Sequence, residues 1–298
     1  MKFTSRDFVG IEDLPIITNF FDEARVLVGD EQGIFLHAGD VWWRYGQYEP
    51  ELHQFRLWFQ NDKLIAVGWV TFGTDLELHV HPNLETADFD KLALEIVNWA
   101  KRVCPAEINM ESAIENTKLT RFFESCGFEP EDSKGFMFAK DLSEPIPELE
   151  LPLGFSARHV LESEFEERVN VHRDAFDPSK FSLARYARVR SMPGYRSDLD
   201  LVVSTPDNVF ASFCLVWLSG SVGYFEPVGT RAAFRRQGLG RAVILEGFRR
   251  LKALGAHKAM VFSGTKNREF YESCGFGIVN RFKGWRFKKE SKSLELPA

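Results

Sequence analysis

The sequence predicts a mixed α/β protein built as two tandem domains on one plan. Three observations predict it: an internal repeat, a proline-rich break at mid-chain, and the same order of strands and helices on both sides of the break. Residues 117–128 read TKLTRFFESCGF and residues 265–276 read TKNREFYESCGF, identical at eight of twelve positions. The same offset of 148 pairs Trp69 with Trp217, Val80 with Val228, Ile96 with Ile244 and Arg102 with Arg250. A register held without gaps over that length predicts shared architecture. Just beyond it, Lys134-Gly135-Phe136 matches Lys283-Gly284-Trp285 after a slip of one residue.

The break is SEPIPELELP, residues 143–152, whose three prolines and three glutamates leave little to bury. The expected organisation is a first domain over 1–142, a linker over 143–152 and a second domain over 153–298, each half of ordinary domain size. In the second half, Leu199–Thr205, Phe210–Leu218 and Gly223–Val228 are rich in β-branched and aromatic residues between turn signals, and predict strands. Gly238–Gly255 predicts a helix whose apolar face is Ile244, Gly247, Phe248, Leu251 and Leu254, with Gly255 as its C-terminal cap. Lys258–Phe262 reads as a short buried strand, and Lys266–Ser273 as a helix stopped before Gly275. The first half repeats the plan, with Phe89, Leu92, Ile96, Trp99 and Val103 facing inward from its equivalent helix.

Composition narrows the function. With 44% hydrophobic and 27% charged residues, the chain reads as a soluble globular protein. A net charge of −6 disfavours a general nucleic-acid binder. The opening MKFTSRDF carries no apolar run, so no secretory signal is expected, and no stretch approaches a membrane span. Cysteines 104, 126, 214 and 274 form no close pairs, which argues against a zinc site and a disulfide framework and leads us to expect a cytoplasmic, metal-free protein. It is expected to act as a monomer or homodimer, with no nucleic-acid or membrane partner.

The segment with chemical content is EPVGTRAAFRRQGLGRAV, residues 226–243. Gly238 and Gly240 stand between an extended strand and an amphipathic helix, where backbone N–H groups lack partners and face the positive end of the helix dipole. Glycine lets a bulky anion approach those amides, so the loop reads as a phosphate cradle, with Arg231, Arg235, Arg236 and Arg241 concentrating positive charge around it. A dinucleotide fingerprint would need glycine where Val243 stands, and a Walker loop would need GxxxxGK[ST]. The competing reading is a helix start with a solvated basic face.

The segment resembles the pyrophosphate-binding motif of the GNAT superfamily of N-acetyltransferases, [RQ]xxGx[GA], met here by Arg235, Gly238 and Gly240. EPVGT before it and FYESCGF after it are similar to that superfamily at the expected separations. The resemblance implies a mixed sheet whose fourth strand, Val222–Thr230, and fifth, Lys258–Phe262, splay apart to admit the pantetheine arm of acetyl-CoA. Val228, Gly229 and Thr230 would pair with the arm as an added strand does, and amides from Arg236 through Gln237, Gly238, Leu239 and Gly240 to Arg241 would hold the pyrophosphate. Pro227 fits a bulged edge, since it cannot donate to a ladder.

Acetyl transfer to an amine needs a base for the acceptor, a donor for the oxyanion and an acid for the departing thiolate. The resemblance assigns the oxyanion donor to the Val228 amide and the acid to Tyr271. The first copy has Phe123 in the place of Tyr271, so packing alone does not require the hydroxyl. Glu226 is the candidate base, against a reading as a strand-edge carboxylate or a ligand for one of the nearby arginines. Asn267 is a weaker candidate for the cofactor, against a helix N-terminal role. His172 falls on a helix where acceptor-binding residues of the superfamily often lie, although a lone helical histidine is more often structural. Cys126 and Cys274 match across the repeat and read as packing residues. At the loop, the first copy carries Ala87, Asp88, Asp90 and Leu92, a set that repels pyrophosphate. The aromatic stretch HAGDVWWRYG, residues 37–46, either packs against the other domain or lines an acceptor cleft, and packing is favoured.

The expected function is direct acetyl-CoA-dependent N-acetylation of a primary amine of a small molecule. The readings left open are a non-catalytic acyl-CoA sensor and a protein-lysine acyltransferase.

Overall fold

The computed structural model describes residues 2–29 and 34–289. The first half runs β1 (Thr4–Asp7), α1 (Leu14–Val28), α2 (Ala38–Gln47), β2 (His53–Gln60), β3 (Lys63–Thr71), β4 (Asp75–Val80), α3 (Thr86–Val103), β5 (Glu107–Ala113), α4 (Thr117–Ser125) and β6 (Glu129–Asp141). The second runs β7 (Ser156–His159), α5 (Phe165–Ala175), α6 (Leu183–Arg190), β8 (Asp200–Ser204), β9 (Phe210–Ser219), β10 (Val222–Thr230), α7 (Leu239–Ala253), β11 (Lys258–Gly264), α8 (Arg268–Ser273) and β12 (Gly277–Lys288). The order of strands and helices is the same in both, as the repeat predicts.

The compact units, however, are not the two halves divided at 143–152. The first unit takes the chain up to Phe20, Glu51–Lys134 and the chain from Arg281 on; the second takes Phe21–Pro50 and Gly135–Asn280. In the second unit, residues Gly135–Asp141 of β6 pair antiparallel with the whole of β11, closing an edge that the second half of the sequence leaves open. In the first unit, Phe282–Lys288 of β12 pair antiparallel with β5. Each half thus gives its last strand to the other unit. The strand order is β1-β2-β3-β4-β5-β12 in the first unit and β6-β11-β10-β9-β8-β7 in the second. Neighbours are antiparallel except β4 with β5 and β10 with β11.

Packing follows the apolar faces read from the sequence. On α3, Leu92, Ile96 and Trp99 are buried, with Phe89 and Val103 at the margin of the same core. On α7, Ile244, Gly247, Phe248 and Leu251 are buried. Leu254 departs from expectation: it stands past the last helical turn and is 40% exposed. Gly255, at φ 82°, closes the helix with its N–H 3.1 Å from the Lys252 carbonyl.

The expected linker has no regular secondary structure over 145–152, yet it is seated. Leu149 and Leu151 pack on the core of the second unit, and Arg249 on α7 donates to the Pro147 carbonyl at 2.8 Å. A buried ion pair fixes α5 to β8, with Arg168 Nε 2.7 Å from Asp200 Oδ1, while Tyr186 of α6 donates to Asp200 Oδ2 at 2.7 Å. Such a pair costs desolvation and is tolerated because the carboxylate's other oxygen is also satisfied. Among the described residues, no helix is long and apolar enough to cross a membrane.

Candidate active site

The site begins with β10 changing partners. Its first residues, Val222 to Tyr224, pair in parallel with Lys258 to Met260 of β11, and the pairing stops there. On the other side β10 stays with β9, but its register slips between Phe225 and Val228, across Pro227. Proline has no N–H to give a ladder, and the strand bulges where it stands. Beyond Tyr224 and Met260 the two strands therefore present backbone edges not paired with each other, as the expected splay of Val222–Thr230 from Lys258–Phe262 requires.

After Thr230 the chain makes one turn of 3-10 helix, Ala232–Phe234, and enters α7. Arg236 and Gly238 both have positive φ, 63° and 77°. Gly238 is the N-cap of α7 and, lacking a side chain, caps none of the first-turn amides. Leu239, Gly240 and Arg241 thus begin the helix with N–H groups that no capping side chain takes. Gly240 is required for a different reason: a Cβ there would lie 2.9 Å from Thr230 Oγ1. One glycine supplies the conformation and the other the close approach of helix and strand. The loop fits a pyrophosphate, and Val228, Gly229 and Thr230 lie on the strand that leads into it.

The arginines are less available than the sequence suggests. Arg231 is held by Glu167 at 3.1 Å and Asp174 at 3.0 Å, turned into a polar cavity of about 590 Å³ that Asn170 and Arg173 also line. Arg235 donates to the Thr230 and Ala175 carbonyls at 3.2 and 3.0 Å, and Arg241 to the Ser273 carbonyl at 3.1 Å. These two brace the loop against its neighbours while keeping their charge. Arg236 is exposed and makes no ion pair or hydrogen bond among the described residues. Gln237 donates to the Ala233 carbonyl at 3.2 Å.

Glu226 lies two residues past the last β10–β11 pair, and Tyr271 is a buried residue of α8. Glu226 is half-buried, and its carboxyl makes no hydrogen bond or ion pair among the described residues, so the competing reading as a ligand of a nearby arginine is not met. Burial foremost, then Asp40, push it up to about 8, against the opposing pull of Arg44. Tyr271, in contact with the rings of Phe138 and Phe276, is buried, and burial raises its hydroxyl well above the usual range. The Ser263 side chain of β11 pulls that hydroxyl down against the effect of burial. Asn267 donates to Ser263 Oγ at 3.0 Å, so it flanks this serine as well as preceding α8. In the first unit Phe123 fills the equivalent place, fully buried.

The candidate His172 is a packing residue, and Cys274 is one as expected. His172 is stacked on Phe181 with centroids 4.1 Å apart, and burial, aided by Arg168, pushes its imidazole down to about 3. Cys274 is buried in the core, its thiol pushed up to about 12 by desolvation.

Sequence reasoning missed Ser263 and the polar residues of α2. Phe21–Pro50 belong to the second unit, and α2 packs on β9, β10 and α6. The amphipathic pattern of α2 marks a buried face but says nothing of what covers it.

Residues 172–276 match the model of the acetyltransferase (GNAT) family. The second half of the sequence carries a GNAT acetyltransferase domain. Its matched stretch contains the parted strands, the glycine loop, Glu226 and Tyr271. The first half repeats the GNAT order of elements without the loop chemistry, so the chain has a tandem GNAT fold. Solved structures agree over nearly the full length. A GCN5-related N-acetyltransferase from Sphaerobacter thermophilus is 18% identical, with 96% of this chain and 95% of that one covered at a TM-score of 0.64. A tandem GNAT protein from the clavulanic acid biosynthesis pathway is 11% identical, with 98% and 100% covered at 0.68. A GNAT-family acetyltransferase from Colwellia psychrerythraea is 11% identical, with 96% and 100% covered at 0.65. At these identities the likeness concerns the fold. No curated protein matches the sequence.

Proposed function

We propose that this chain transfers an acetyl group from acetyl-CoA directly to the primary amine of a small molecule, using one centre in the GNAT domain of the second unit. The observation that carries the reading is the parting of β10 from β11 beside an uncapped helix start, with Glu226 just past the last strand pair. GNAT proteins use acetyl-CoA as co-substrate, and the thioester supplies the acyl group. The amides of Gly238, Leu239, Gly240 and Arg241 hold the pyrophosphate, with Arg235, Arg236 and Gln237 around it. Val228, Gly229 and Thr230 align the arm, and Asn267 borders it.

The chain's own groups then divide the proton work. Glu226 in its carboxylate form takes the proton that the acceptor nitrogen loses, directly or through a water. The Val228 N–H donates to the oxyanion. Tyr271 keeps its proton at working pH, because burial disfavours the phenolate, and gives it to the sulfur that leaves. Ser263 and Asn267 orient that hydroxyl.

The test is thiol release from acetyl-CoA with a panel of small amines, with the acetylated product identified by mass. Transfer to small amines, lost in Gly238→Asp, supports the reading. Coenzyme A binding without turnover on any amine would instead make the domain a sensor, and acetylation confined to protein lysines would make it a protein acyltransferase.

A further inference from the structure

At its bend, β10 carries one residue more than β9. Between the pairs Phe225–Val216 and Val228–Cys214, Glu226 and Pro227 stand opposite the single residue Leu215. Two residues facing one make a β-bulge, which takes a backbone group out of the ladder. The carbonyl of Glu226 finds its donor in a side chain instead: Trp217 of β9 gives it the indole Nε1–H at 2.7 Å.

The first unit holds the same tryptophan without that bond. Trp69 stands 148 residues before Trp217, and β4 pairs with its strand in one register from Asp75 to Val80, with no bulge. His79 occupies the place of Pro227. The Trp69 indole donates to His53 Nδ1 of β2 at 3.3 Å. A buried tryptophan here is thus compatible with either partner, and the bond to the next strand goes with the bulge beside the glycine loop.

The Trp217 indole is fixed from several sides. The residue is fully buried. The first turn of α2 lies against it, since a Cβ on Gly39 would come within 2.3 Å of Trp217 Cβ. Trp42 of α2 and Tyr195 flank the ring, with centroids 5.9 and 6.5 Å away. Tyr195 in turn donates to Asp200 Oδ2 at 3.3 Å, beside the buried pair with Arg168.

What the bond controls follows from backbone geometry. The peptide joining Glu226 to Pro227 is planar, and the proline ring fixes φ at 227. Once the Glu226 carbonyl is held, ψ of Pro227 is the one soft dihedral left before the Val228 N–H. We propose that Trp217 is a positioning residue of the centre: by clamping the Glu226 carbonyl across the bulge, its indole N–H sets the direction of the Val228 N–H that meets the oxyanion. It acts through the backbone. The proposal rests on the reading of Val228 as the oxyanion donor, and its test separates the two.

The experiment uses full-length protein. Pro227–Val228 is the one Pro-Val step in the sequence, so ¹³C-carbonyl proline combined with ¹⁵N-valine marks its amide alone by NMR. Trp217→Phe removes the N–H and shrinks the ring, whereas 3-benzothienylalanine at position 217 keeps the ring and puts sulfur where the N–H was. In both, the Val228 amide signal should move. Turnover, kcat, should fall roughly 10- to 100-fold with acetyl-CoA affinity kept, because a misaimed donor costs the transition state more than the ground state. Trp69→Phe, which breaks the bond of the equivalent tryptophan in the first unit, should change neither. An unmoved Val228 amide in the benzothiophene variant overturns the proposal, as does an equal loss of kcat in Trp69→Phe. If the amide moves while kcat holds, or while the wild-type chain transfers no acetyl group, the reading of Val228 as oxyanion donor fails and the clamp stands.

Discussion

Glu226 is stabilised in its protonated form by the fold, and that has a stability consequence as well as a kinetic one. Its folded midpoint of about 8 lies above the ordinary 4.5. Below 4.5 folded and unfolded chains are both protonated there. As pH rises past 4.5 the unfolded chain ionises first, so stability is lost between 4.5 and 8 and levels off above. The cost at pH 7 is on the order of 3 kcal/mol. Glu226→Gln should therefore raise the thermal midpoint at pH 9 and leave it nearly unchanged at pH 4, read by calorimetry at both. In activity, wild-type kcat/KM should climb with pH toward a limb near 8, and the variant should lose that limb. Tyr271 can be tested with the repeat as control. Tyr271→Phe copies the buried Phe123 of the first unit, so the core should accept the ring. Turnover should fall roughly 10²-fold if the hydroxyl protonates the thiolate. Acetyl-CoA affinity should move by no more than about 1 kcal/mol, the worth of one hydrogen bond. Full turnover at saturating amine would make Tyr271 a packing residue.

At the scale of elements, the start of α7 binds by backbone more than by side chains. Arg231 is committed to Glu167 and Asp174, and Arg235 and Arg241 are bonded to carbonyls, so they shape the loop and lend it charge. The decisive feature is the set of N–H groups after Gly238. Gly238→Asp should abolish coenzyme A binding, measured by calorimetry, while the far-ultraviolet circular dichroism stays that of the folded protein. No atom lies within 4 Å of a Cβ there, so the added side chain meets the anion and not the core. The left-handed backbone at φ 77° adds a cost of about 1 kcal/mol, which an aspartate tolerates better than most residues. Unchanged affinity would show that the loop is not the anion site.

For the whole molecule, the exchange of final strands ties the two units into one folding problem. A chain beginning at residue 153 keeps every residue matched to the GNAT family but lacks Gly135–Asp141, leaving β11 with a bare edge, and lacks α2. An unpaired central strand and an uncovered apolar face predict aggregation. Expressed alone, that half should be insoluble or fail to melt cooperatively; a soluble, cooperative fragment would show the exchange to be dispensable. The same scale decides stoichiometry. The first unit repeats the fold but places Asp88 and Asp90 where the second has Arg236 and Gly238. One acetyl-CoA should bind per chain, and calorimetry finding two equivalent sites would contradict this.

The sequence by itself determined the repeat, the order of elements, the inward faces of α3 and α7, the bulge at Pro227 and the glycine loop. These are local: each depends on periodicity, on a residue without an N–H, or on a residue without a Cβ. The tertiary structure decided what depends on distant parts of the chain meeting. Nothing in TKLTRFFESCGF or in the proline-rich break tells that β6 will pair with β11, because either repeat's last strand satisfies the same hydrogen-bonding edge. HAGDVWWRYG announces an aromatic helix but not that it will pack on β9 and β10. The competing reading, in which Glu226 is held by a nearby arginine, is not met for the same reason. Charge partners follow distance in space, and Arg231 lies closer to α5 than sequence spacing suggests. Burial, which lifts Glu226 to about 8 and holds Tyr271 neutral, is a property of the packed molecule and has no counterpart in the chain that encodes it.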